Sequence, residues 1–143
     1  NFRLYEIRSA LGLSQLKRID KLNKLRKNLY EYYNKKLKNI SGIVVPESSS
    51  NGDHVFHLYI MKIKNEISRD KLFDELLKFG VKTSVHYKPL HKFKTLKKFS
   101  KIKNLQNANE VYDEIITLPF YPNMSKKDQD YVINSISKIM NNK

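Results

Sequence analysis

Apolar residues recur at helical spacing through the first part of the chain: Leu4, Ile7 and Leu11, then Ile19, Leu22, Leu25, Leu29, Tyr33 and Leu37. Steps of three and four residues put these side chains on one stripe, which predicts one long amphipathic helix or two helices in line. Gly12, beside Ala10, interrupts the run, and small residues there predict close packing against another helix. Ser41-Gly42 ends the helical pattern, and Ile43-Val44-Val45 ahead of Pro46 reads as a short strand. After a polar loop carrying the turn signal Asn51-Gly52, the residues from His54 to Ile63 are dense in β-branched and aromatic types. They predict the central strand of a small sheet.

Ser68 is placed to cap a helix that carries Leu72, Phe73, Leu76 and Leu77 on one face and stops at Gly80. Val81 to Tyr87 then reads as a third strand, ended by Pro89, whose ring removes a ladder donor. The basic stretch from Leu90 to Lys103 predicts a loop with a short helical turn. Asn104 or Asn107 opens a further helix with Ala108, Val111, Ile115 and Ile116 inward, closed by Leu118-Pro119. Ser125 with Asp128 resembles a capping box before a last helix whose buried stripe is Tyr131, Val132, Ile136 and Ile139. The expected fold class is therefore α/β of the α+β kind: two layers, a small three-stranded and mainly antiparallel sheet, and about four helices covering mainly one side.

Composition narrows the chemistry. The chain has no cysteine, which excludes disulfides, thiolate catalysis and cysteine-ligated metals, and makes a reducing cytoplasm the expected compartment. No apolar run approaches the roughly 20 residues needed to span a bilayer, so no membrane partner is expected. The chain begins at Asn1 without a basic-then-apolar leader, and an upstream portion of the protein is expected to precede it. A formal net charge of +14 invites a nucleic-acid reading. Yet the arginines are only Arg3, Arg8, Arg18, Arg26 and Arg69, and the excess is lysine. The guanidinium is the favoured reader of phosphates and guanine edges, so no nucleic-acid partner is expected. A basic nucleic-acid-binding module stays as the competing class, and a basic surface equally suits a diphosphate-bearing small substrate.

No self-sufficient catalytic site is present: there is no glycine-rich phosphate cradle, no nucleophile elbow and no His-Glu-x-x-His pair. His54 and His57, three apart on a strand, would point to opposite faces and cannot share a metal, so no metal site is expected. The run His86-Tyr87-Lys88-Pro89-Leu90-His91 is different. It brackets a strand end and a proline-fixed loop, where function commonly sits on a rigid scaffold. Its imidazoles, phenol and ammonium suit hydroxyls or phosphate oxygens. A solvated strand end with no ligand is the alternative, and residue types alone do not decide between the two.

Four motifs in order carry a resemblance that spans the chain. They are Asn1-Phe2-Arg3-Leu4 with Ala10 to Leu16, His54-Val55-Phe56-His57-Leu58-Tyr59, Gly80 to His91, and Leu118-Pro119-Phe120-Tyr121-Pro122. Together they resemble the C-terminal part of the DegT/DnrJ-type sugar aminotransferases. The resemblance implies the small C-terminal domain of a fold-type-I, aspartate-aminotransferase-like homodimer. Such an enzyme uses pyridoxal 5′-phosphate to move an amino group from glutamate to a keto group on a nucleotide-linked sugar, in surface or cell-wall polysaccharide biosynthesis. It also implies that the Schiff-base lysine lies upstream, so this chain holds no catalytic residue and is not expected to bind the cofactor covalently. Residues 1–40 are then a helical segment linking to a large domain, and 41–143 the compact part. Asn1 matches a cofactor-binding asparagine, while Arg3, His86, Tyr87 and His91 match the substrate side of the site. Some relatives replace the lysine by histidine and act as dehydratases, and the upstream residue decides between the two reactions.

Overall fold

In a computed structural model the chain is described at residues 3–48, 54–64, 67–97, 99 and 105–142. Asn1, the Asn51-Gly52 turn signal and Asn104 lie outside the described residues. The leading helical pattern divides into α1 (Glu6–Leu16) and α2 (Ile19–Leu37), two helices rather than one long one. They differ in what they bury. On α2, Tyr30, Tyr33 and Leu37 enter the core, whereas α1 buries nothing, and Leu4, Ile7 and Leu11 stand 68%, 86% and 61% exposed. The close helix packing expected at Gly12 does not occur among the described residues, because none of them lies within 4 Å of where its Cβ would be.

The sheet is formed by β1 (Ile43–Val44), β2 (Tyr59–Ile63) and β3 (Ile115–Leu118) in the order β1-β2-β3, antiparallel throughout. Two strand expectations change. The central strand begins at Tyr59 rather than His54, because Phe56 takes a φ of 48° and its N–H donates to His54 Nδ1 at 2.9 Å. That local turn breaks the extended run, so His54 and His57 sit in irregular backbone and not on a strand. The third strand is not Val81 to Tyr87. It is Ile115–Leu118, which had read as the end of a helix.

That helix is α5 (Gln106–Glu114), which comes after a single turn, α4 (Lys94–Lys97), and passes into β3 with no intervening turn residue. Ala108 and Val111, expected inward, are exposed on it. The four residues of β3 are all buried, which suits their β-branched character once both edges are paired. The junction is pinned from outside. Arg69 is 7% exposed at the start of α3 (Arg69–Lys78), and its Nη1 donates to the carbonyls of Tyr112 at 3.1 Å and Ile115 at 3.2 Å. Its guanidinium also lies 5.2 Å from the Tyr112 ring centroid.

Helices α2, α3 and α6 (Lys126–Asn141) cover the buried face of β2, where Tyr59, Met61 and Ile63 alternate with the half-buried Ile60 and Lys62. The two serine caps form as read: Ser68 Oγ accepts from the N–H of Lys71 and Ser125 Oγ from that of Asp128. Helix α3 closes in a Schellman motif, with Gly80 N–H donating to Leu77 O and Val81 N–H to Leu76 O, both at 2.9 Å. Gly80 has a φ of 74°, a left-handed conformation that a side chain disfavours. On α3, Leu72 and Leu76 are buried but Leu77 is 54% exposed. The stripe on α6 is also shifted, for Val132, Ile133, Ile136 and Met140 are buried while Tyr131 is 54% exposed.

The core holds a closed polar network. Tyr59 Oη donates to Asn34 Oδ1 at 2.6 Å, Asn34 Nδ2 and Tyr30 Oη donate to Pro46 O, and Tyr33 Oη donates to Pro119 O. Burial pushes the hydroxyls of Tyr33 and Tyr59 above the ordinary tyrosine range. Because the folded phenols hold their protons more tightly than the unfolded ones, this stability is complete below the ordinary pKa of about 10 and is lost as pH rises above it. Denaturant titrations are expected to show a steep loss of stability above about pH 10. Tyr59→Phe is expected to cost about 1–3 kcal/mol at neutral pH and to flatten that loss. A wild-type stability unchanged into strong alkali contradicts this. For the α5–β3 junction, Arg69→Met takes the donor from the buried Ile115 carbonyl and the part-buried Tyr112 carbonyl and is expected to lower stability by about 2–4 kcal/mol. The same titrations measure it, and a change under about 0.5 kcal/mol, the level of an ordinary surface substitution, contradicts the anchoring role.

Candidate functional site

Residues 81–91 run from the cap of α3 along the outer edge of β3. Val81 is buried, but backbone pairing with β3 is confined to one residue: Ser84 N–H donates to Thr117 O at 3.1 Å, and Thr117 N–H to Ser84 O at 2.8 Å. Alternate residues of a strand face opposite edges, so Thr117 turns its backbone to Ser84 while Ile116 and Leu118 face β2. The segment is thus a tethered loop rather than a strand.

Two residues past the tether, His86 Nδ1 lies 2.9 Å from the hydroxyl of Thr117, which is itself 4% exposed. One buried threonine therefore holds the segment at both Ser84 and His86. The peptide bond between His86 and Tyr87 is cis, and the two rings meet edge to face with centroids 4.6 Å apart. Tyr87 points outward at 72% exposure, and the Lys88 ammonium lies 5.3 Å from the Phe93 ring centroid. Pro89 leads into a single 3-10 turn, Leu90–Lys92, which brings His91 Nε2 within 2.8 Å of Asn109 Oδ1 on α5. Next to it, Lys92 Nζ pairs with Asp113 at 3.2 Å and lies 4.5 Å from the Tyr112 ring centroid.

Both imidazoles are therefore fixed by the α5–β3 unit, whereas Tyr87 and Lys88 remain exposed beside them. The group offers two oriented ring nitrogens, a phenol and an ammonium, a donor-rich set suited to hydroxyls and anionic oxygens. Thr117 and Asn109 were not singled out from the sequence. A buried hydroxyl in an apolar strand was the one available signal for Thr117, and it needed β3 to be recognised as a strand first. Arg3 stands exposed ahead of α1 and is not among the residues that hold His86 or His91.

A Schiff-base lysine is made nucleophilic at neutral pH by desolvation or by a cationic neighbour, and no lysine whose burial is described is buried. Among the described residues no group of three or more His, Asp or Glu is placed to hold a metal ion. None of the helices there is long and apolar enough to cross a membrane.

The chain is similar over nearly all of its length to part of longer known proteins. A UDP-4-amino-4,6-dideoxy-N-acetyl-beta-L-altrosamine transaminase of Campylobacter jejuni is 28% identical over 98% of this chain and 38% of its own. Among solved structures, Helicobacter pylori PseC, an aminotransferase involved in the biosynthesis of pseudoaminic acid, gives a TM-score of 0.90 at 27% identity, covering 98% of this chain and 38% of that one. A Streptococcus pneumoniae protein solved in PLP and PMP forms gives 0.86 and 0.87 at 28% identity, over 96% of this chain and 36% or 35% of that one. The chain thus spans little more than a third of the length of the curated relatives it matches. The model of the DegT/DnrJ/EryC1/StrS aminotransferase family matches residues 1–137, and the chain belongs to that family.

Proposed function

We propose that this chain is the C-terminal domain of a pyridoxal-phosphate-dependent aminotransferase that moves an amino group from glutamate to a nucleotide-linked keto sugar. The observation that carries the reading is the family match over residues 1–137, joined to a histidine-bearing loop held rigidly at the edge of the sheet. The Campylobacter jejuni relative, a transaminase of a UDP-linked sugar, supports the substrate class, and the PLP and PMP forms of the Streptococcus pneumoniae protein support the cofactor.

On this reading the cofactor is held by a large domain outside the chain, Asn1 is a cofactor-binding residue by its match to the family, and Arg3 belongs to the substrate side of the site. Residues 1–40 form the link. The exposed apolar residues of α1 suit burial against that domain or its copy in a homodimer, since a patch of this kind marks a surface meant to be covered. Residues 41–143 supply the substrate-side wall. There His86 and His91 orient the sugar nucleotide by hydrogen bonds, while Tyr87 and the surrounding lysines add a phenol and positive charge toward a diphosphate. The chain's own residues bind and orient, and they are not asked to form a covalent bond.

The intact protein, given pyridoxal phosphate, glutamate and a UDP-linked keto sugar, is expected to release 2-oxoglutarate and an amino sugar detectable by mass spectrometry. Within it, His86→Ala or His91→Ala is expected to lower kcat/KM by about tenfold or more, the scale of one lost hydrogen bond to a charged or developing-charge group. Absence of amino transfer sinks the enzymatic reading. Transfer that is indifferent to both substitutions returns the segment to ordinary surface.

A further inference from the structure

The two histidines are held by partners of different chemistry. Facing His91 Nε2 at 2.8 Å is the amide oxygen Oδ1 of Asn109, which carries no hydrogen. The shared proton must therefore sit on Nε2, and a neutral His91 then bears its lone pair on Nδ1. Facing His86 Nδ1 at 2.9 Å is a hydroxyl, Thr117 Oγ1, which can donate or accept. His86 is thus free to carry its own proton on either nitrogen, with the threonine hydroxyl turning to match. Thr117 itself cannot drift, since its backbone N–H and C=O are both engaged with Ser84 and the side chain is buried. Asn109 is half-buried on the helix whose last turn Arg69 grips at the Tyr112 carbonyl. The carboxylates of that helix are each engaged: Glu110 accepts from Gln106, Asp113 pairs with Lys92 and Glu114 with Lys64.

We propose that Asn109 and Thr117 are positioning residues that give the two imidazoles unlike roles: His91 presents Nδ1 as a fixed acceptor for a ligand hydroxyl, and His86 presents Nε2 as a donor or an acceptor as the ligand requires. The inference rests on the reading of the 86–91 segment as the substrate wall. A fixed acceptor selects for a hydroxyl donor over a bare phosphate oxygen, so His91 faces the sugar part of the substrate. The adaptable His86 is the one of the pair able to follow a proton without losing its anchor.

The test needs no knowledge of the exact substrate. In the intact protein, modification of each histidine by diethyl pyrocarbonate is followed by mass spectrometry across a pH series, since only the unprotonated imidazole reacts. Asn109→Asp places a carboxylate where the amide was and is expected to move the His91 midpoint up by about one pH unit or more, leaving that of His86 in place. Thr117→Val keeps the shape but removes the hydroxyl, and is expected to change the His86 rate several-fold while His91 is unmoved. Thr117→Ser restores the original His86 behaviour. A His91 profile indifferent to Asn109→Asp overturns the assignment, as does a shift shared by all four histidines of the chain, which marks a general structural effect. If the selective shifts occur while His86→Ala and His91→Ala leave amino transfer intact, the positioning by Asn109 and Thr117 stands and the substrate-wall reading fails.

Discussion

Antiparallel pairing of β3 on both of its edges is the constraint from which the rest of the structure follows. On one side Ile115 to Leu118 pair with Lys62 to Tyr59, and on the other Thr117 takes both backbone bonds of Ser84. A strand buried in this way must satisfy every polar group internally, which fixes its register and forbids slippage. Arg69 locks the entry to the strand through two carbonyls, and Tyr33 ties the exit by donating to Pro119 O. The histidine loop has no comparable structure of its own. It inherits its position from this strand.

That dependence explains why the site was only partly legible in the sequence. The residues His86 and His91 could be picked out because polar groups crowd around a proline, and the resemblance drew attention to the same segment. Their partners could not. Thr117 lies 31 residues from His86 and Asn109 lies 18 from His91, and pairings at such separations exist only once the fold closes. The swap between Val81 to Tyr87 and Ile115 to Leu118 has a related cause. Both runs are rich in β-branched residues, and their composition does not say which will find two partners. Ile115–Leu118 also follows α5 directly, with no glycine, proline or polar break to mark the change of period.

Local signals fared better where the chemistry is local. The caps at Ser68 and Ser125 and the left-handed turn at Gly80 depend on neighbours within a few residues, and they form as the sequence reads. Helix faces were read less well. On α6 the buried side includes Gln129, 2% exposed, whose Nε2 donates to Leu29 O at 2.7 Å. A polar residue with a buried partner disguises the inward face, while Tyr131 leaves it and donates to Phe79 O. On α1 the failure is of another kind. The apolar stripe is present, but among the described residues nothing buries it, and Gly12 stands open.

A compact α+β body holds a histidine loop in fixed geometry, while α1 presents an apolar face that no described residue buries, and the proposed function reads both as parts of a larger site. On the proposed function, residues 84–91 form a wall against which the sugar nucleotide rests. Hydrogen–deuterium exchange of the intact protein, with and without a saturating UDP-linked amino sugar, addresses that claim directly. The account predicts slowed exchange on ligand binding in peptides covering 84–91 and Thr117. Exchange unchanged in those peptides while others in the same protein become protected contradicts it.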